Sequence, residues 1–150
     1  MRIRWSALLV LTLVLMPRDG KAQGTQSTST KKPIATAGQN YPNPFNPETW
    51  MPFTVGDYPS CTESAGKRYR VTWKIYNIIP QLVAVPRLDG TSGGVAGGQK
   101  LDNVLLPCGS YLAYWDGKYA NGKSVASGIY YWKLDVDGQA TLAKPTTVAK

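Results

Sequence analysis

The sequence predicts an all-β fold, an antiparallel β-sandwich of the immunoglobulin or fibronectin type III kind with six to seven strands. Three observations predict it. Aromatic and β-branched residues alternate with polar ones over several short stretches. Fifteen glycines and eleven prolines punctuate the chain with turn signals. Beyond the N-terminal apolar run no stretch carries a helical period. The 150 residues suffice for one such domain.

Residues 1–22 read as a signal peptide. Arg2 and Arg4 precede an apolar run over 5–16, and Gly20 and Ala22 are the small residues a signal peptidase reads, so cleavage is expected after Ala22. The run is shorter than the ~20 residues of a spanning helix. Retention as an anchor is the alternative, and membrane contact is expected only then. Residues 23–40 are polar and low in complexity, which predicts a flexible linker. The domain is expected to occupy 41–150.

Pro42, Pro44 and Pro47 fix their own φ and push the preceding residues toward extended geometry, so 41–47 reads as a rigid entry strap anchored by Tyr41 and Phe45. Residues 50–55 form a first strand, and Pro52, lacking an N–H, places it at an edge or a bulge. Over 68–77, Tyr69, Val71, Trp73 and Ile75 alternate with Arg70, Thr72 and Lys74. A short partner follows at 82–85, then a glycine-rich loop at 89–99 and an irregular strand at 100–106. Residues 110–115 set Tyr111, Ala113 and Trp115 on one face. Asp-Gly and Asn-Gly signals then make Trp115, Asp116, Gly117, Asn121 and Gly122 a structural turn. Residues 129–136 turn Tyr130, Trp132, Leu134 and Val136 to the core. Asp137-Gly138 is a hairpin signal, and 139–148 close the sheet, with Pro145 arguing for an edge. Trp50, Trp73, Trp115 and Trp132 fall on different strands, and at ~25 cal/mol per Å² of buried apolar area they are expected to supply most of the core's stability.

The residues exclude several functions. The chain has no histidine, the commonest general base and metal ligand. Its serines lack a base partner, and its carboxylates show no motif pairing. No catalytic, metal or cofactor-binding residue is expected, and the protein reads as a non-enzyme. Removing 1–22 takes four of 17 basic and one of nine acidic residues, leaving a net charge of +5. Those bases are scattered, unlike the clustered face of a nucleic-acid binder. Gly93, Gly94, Gly97 and Gly98 are followed by Gln99 and Lys100, without the Lys-Ser/Thr of a phosphate loop. Asp116 and Asn121 offer too few carboxylates for calcium and read as turn residues bonded to their own backbone. Cys61 and Cys108 read as one disulfide in an exported protein, restricting the unfolded chain by ~3–4 kcal/mol. Tyr114, Tyr119 and Tyr131 fall outside the core phase and are the candidate interface residues.

Four segments carry a family resemblance. YPNPFNPETWMPFTV (41–55), GKRYRVTWKIYNIIPQLV (66–83), PCGSYLAYWDGKYANGKSVASGIYYWKL (107–134) and the lysine-ended tail together resemble the immunoglobulin-like module of flagellar hook-capping proteins and of type IX secretion C-terminal sorting domains. The resemblance implies a non-catalytic module, either read by an outer-membrane secretion machine or serving as a structural cap or spacer. The chain departs from the pattern in the glycine-rich insertion around 89–106, in Cys108, and in having only a signal and a short linker before the module. The expectation is therefore an exported periplasmic, cell-surface or extracellular subunit that docks to a protein partner of the cell envelope or surface. It would dock through sheet edges, by strand addition, or through exposed aromatics. The alternatives are a sorting module whose last strand is the signal, and a carbohydrate-binding domain read through Tyr114 and Tyr131.

Overall fold

A computed structural model describes residues 33–90 and 94–150. The expected signal peptide and most of the expected linker lie outside the described residues. Nine strands build two antiparallel sheets packed as a sandwich, and the described residues contain no helix. They are β1 (Ala35–Ala37), β2 (Thr49–Val55), β3 (Arg68–Tyr76), β4 (Leu82–Ala84), β5 (Arg87–Asp89), β6 (Val104–Pro107), β7 (Gly109–Trp115), β8 (Gly128–Val136) and β9 (Gln139–Val148). The first sheet runs β1-β2-β7-β5 and the second β4-β3-β8-β9, with β6 also paired to β3.

Alternation sets the core. Met51, Phe53, Val55, Val71, Trp73, Ile75, Tyr111, Ala113, Trp115, Tyr130, Trp132, Leu134 and Val136 are all buried. Their rings form a continuous spine: Phe45–Trp115 (5.3 Å), Trp115–Trp132 (6.1 Å), Trp132–Trp73 (5.7 Å), Trp73–Phe53 (5.5 Å) and Phe53–Tyr111 (5.5 Å). Several of these meet edge to face, the favoured geometry for ring quadrupoles. Two tyrosines tie loops to the spine, Tyr111 Oη donating to the Pro107 carbonyl (2.7 Å) and Tyr130 Oη to that of Ala126 (3.0 Å). The first has the form of the tyrosine corner of immunoglobulin-like sandwiches.

Four expectations need correction. The ordered domain starts before Tyr41, because β1 pairs with β2 through Ala35↔Val55 and Ala37↔Phe53. Asn40 is buried and binds the hydroxyls of Thr49 (2.9 Å) and Thr146 (2.6 Å), one from each sheet. Buried polar groups must be paired, so this node fixes the chain's entry. Secondly, β2 is an inner strand. Pro52 is tolerated there because its nitrogen faces the chain just past β1, where Gly38 N donates to the Pro52 carbonyl (2.8 Å). A Cβ on Gly38 would lie 2.8 Å from Pro52 Cγ, so the glycine leaves room for the ring. Thirdly, the strap over 41–47 bends rather than running straight, and only Phe45 is an anchor, Tyr41 being half exposed. Fourthly, Trp50 is outside the core; the other three tryptophans fill it.

The strap binds the outer edge of β9. Phe45 N donates to the Thr147 carbonyl (2.9 Å), Ala149 N to the Phe45 carbonyl (3.0 Å), and Thr147 N to Asn43 Oδ1 (2.9 Å). Phe45 packs on Trp115, and a Cβ on Gly117 would lie 2.5 Å from the Pro47 carbonyl oxygen. The two most distinctive strings of the sequence, some seventy residues apart, thus touch. Cys61 and Cys108 form a disulfide with a Cα–Cα distance of 5.7 Å, joining the loop after β2 to the β6–β7 junction.

Candidate interaction surfaces

The expected turn residues share one structure at the end of β7. Trp115 Nε1 donates to the Lys118 carbonyl (2.9 Å), Asp116 Oδ1 accepts from Lys118 N (3.2 Å), and Asn121 Oδ1 accepts from Lys123 N (3.0 Å). Gly117 and Gly122 hold φ of +67° and +81°, a region that favours glycine. Both side-chain oxygens are therefore engaged by local backbone, and among the described residues no group of three His, Cys, Asp or Glu is placed to hold a metal ion.

The three candidate tyrosines separate. Tyr114 and Tyr119 line one cavity of about 300 Å³ with Arg87, Lys100, Asp116 and Lys118. Tyr131 lies on the far side of the sandwich, on the outer face of the second sheet.

On the first sheet's outer face, Trp50, Tyr114 and Arg87 are cross-strand partners, and Tyr41 bridges to Trp50. Tyr41 stacks near-parallel to Trp50 at 6.3 Å, and Trp50 meets Tyr114 at 5.5 Å. Trp50 Nε1 donates to Asp89 Oδ2 (2.7 Å). Burial pushes the Tyr114 hydroxyl up to about 12, helped by a hydrogen bond with Glu48 and by the nearby charges of Asp116 and Asp89. Tyr114 therefore stays neutral, with the negative charges of Glu48, Asp116 and Asp89 acting on it. Sequence reasoning missed Tyr41, Glu48, Trp50, Arg87 and Asp89. The signal was present in 49–55, where Met51, Phe53 and Val55 claim the core phase and leave Trp50 outside.

On the second sheet's outer face, Leu82, Tyr76, Tyr131 and Pro145 form one cross-strand row. Ile129 lies one position further on the same face, and Ile78 and Ile79 sit at the tip of the turn between β3 and β4. Ile78, Ile79, Leu82, Ile129 and Tyr131 are 69, 64, 55, 49 and 40% exposed. Scattered single apolar residues are ordinary, whereas large contiguous exposed patches are the kind of surface that interaction sites use. At its border Lys74 and Lys133 stand directly opposite each other and share a cavity with Asp102 and Asp135, so the chain's own carboxylates offset the like-charge pairing.

Two of the sheet edges are partly covered. The strap covers the C-terminal end of the outer edge of β9, at Thr147 and Ala149. That of β5 is taken by residues 98–100, through Leu88 N to the Gln99 carbonyl (2.8 Å) and Gly98 N to the Leu88 carbonyl (2.7 Å). Covered edges resist strand addition. Compared with protein-family models, with curated proteins and with solved structures, the chain matches none.

Proposed function

We propose that the protein is a non-catalytic, exported structural or assembly subunit that docks to a larger complex of the cell envelope or surface. The observation that carries this reading is the exposed apolar group Ile78, Ile79, Leu82, Ile129 and Tyr131 on the second sheet. Interface centres are rich in aromatic and aliphatic side chains and poor in charge. The occupant that fits is a protein surface with an apolar anchor and a mixed polar rim facing Lys74, Lys133, Asp102 and Asp135. The disulfide supports export, because such bonds persist in oxidising compartments.

The test places a photo-reactive side chain at position 129 or 131 in the native cells. The expected result is cross-linking to one defined envelope protein, with co-purification lost in the Ile129→Lys, Tyr131→Lys double variant and kept in Trp50→Ala. A chain that purifies alone, with no cross-link at either position, overturns the reading. Mass measurement of the exported protein is expected to show loss of the first 22 residues, as the cleavage expected after Ala22 requires.

A further inference from the structure

We propose that the outer face of the first sheet binds a neutral polysaccharide, with Tyr41 and Trp50 as the stacking platform and Glu48, Arg87, Asp89 and Tyr114 as its hydrogen-bonding rim. The site lies on the opposite face of the sandwich from the apolar docking group, so either proposal can fail alone.

Four observations converge on this chemistry. The first is the position of Trp50. The other three tryptophans of the domain are buried, whereas this one lies on the outer face and is nevertheless held in place. Asp89 fixes its nitrogen and Tyr114 and Tyr41 flank its ring, so little freedom remains to be lost on binding. An aromatic ring locked at the surface suits a flat apolar ligand face, and the C–H face of a sugar ring is one.

The second is charge balance. The charges of Glu48, Asp89 and Asp116 act on the Tyr114 hydroxyl, Asp89 also holds Trp50 Nε1, and Arg87, Lys100 and Lys118 line the cavity that Tyr114 shares with Asp116. Three carboxylates against three cations give no net attraction for an anion or a cation. They do supply acceptors and donors side by side, which a ligand covered in hydroxyls requires because each hydroxyl both gives and accepts. Hydrogen bonds to ionised groups are the strong ones.

The third is the contrast with protein interfaces, whose centres are depleted of Asp, Glu and Lys. The exposed apolar group at one end of the second sheet meets that description, and the Tyr41–Trp50–Tyr114 face of the first does not. The fourth is shape. Tyr114 belongs to both the aromatic row and the cavity of about 300 Å³, which is at the small end of ligand sites. A chain of sugar units running along Tyr41, Trp50 and Tyr114 would deliver one unit or branch into it.

Affinity electrophoresis of the full domain tests this in gels holding a soluble mixed-linkage β-glucan, a galactomannan or an arabinoxylan, with polygalacturonate as the charged comparison. Retardation is expected in at least one neutral gel. It should weaken on the order of tenfold in Trp50→Ala and in Tyr41→Ala, and remain unchanged in Tyr131→Ala. Tyr41 is half exposed, so its removal tests the platform even where Trp50→Ala fails to fold. Asp89→Asn keeps the shape of the rim and should also weaken retardation. Retardation by polygalacturonate alone, retardation that survives both ring deletions, or none in the three neutral gels overturns the proposal. So does a protein cross-linked at position 41 in the absence of retardation.

Discussion

A single carboxylate organises the loop after β2. Asp57 accepts hydrogen bonds from Ser60 Oγ (2.9 Å), Glu63 N (3.0 Å) and Ser64 N (3.0 Å). Hydrogen bonding from Ser64 foremost, then from Glu63 and Ser60, holds its carboxyl well below the ordinary 3.8, against the opposing effect of burial. Because the folded value is depressed, the stabilisation is fully present above the unfolded value and is lost as pH falls toward the folded one. Asp57→Asn cannot titrate. The melting-temperature gap between wild type and Asp57→Asn is therefore expected to be widest above about pH 5 and to shrink on acidification; a gap independent of pH from 2 to 7 would count against the assignment. Tyr114 works at the opposite end of the scale. With a folded value of about 12 against an ordinary 10.0, it favours folding below pH 10 and loses that contribution as pH rises through 12. Burial raises Tyr111 and Tyr130 as well, so absorbance titration at high pH should show several late-ionising tyrosines, one of which is lost in Tyr114→Phe.

At the scale of elements, the contact between strap and turn is the most exposed to test. Phe45→Ala opens a cavity beside Trp115 and is expected to cost about 3–5 kcal/mol in denaturant unfolding. Gly117→Ala forces a Cβ into a positive-φ position 2.5 Å from the Pro47 oxygen, with an expected cost of roughly 2–4 kcal/mol. β2, β3, β7 and β8 were legible because period two persists over seven to nine residues, and β9 because the Asp137-Gly138 hairpin signal precedes it. β1 and β5 were not legible. Ala-Thr-Ala and Arg-Leu-Asp are too short to show a period and carry weak strand preference, and only pairing with β2 and β7 makes them strands. Pro52 misled for a related reason. Its edge signal is real, but it concerns one hydrogen-bonding side of one residue, and the end of β1 with Gly38 answers it locally. For the surface sites, strand phase exposed Tyr114 and Tyr131 in advance, whereas their separation onto opposite faces depends on which sheet each strand joins, and no local pattern encodes that.

For the whole molecule, the Cys61–Cys108 bond closes a loop with a sequence separation of 47. Replacing both cysteines by alanine is expected to lower unfolding free energy by about 4 kcal/mol, read from urea curves of the two proteins. The strap and the last strand also meet at one seam, where Phe45 pairs with Val148 in parallel. Tension applied between the segment before β1 and Lys150 meets the β1–β2 pairing first; once that yields, it loads the Phe45–Thr147 and Ala149–Phe45 bonds in shear, so that they yield together rather than unzipping in turn. A subunit tethered at one end and burdened at the other would thus carry its own mechanical clasp, and Phe45→Ala should lower the rupture force in single-molecule stretching.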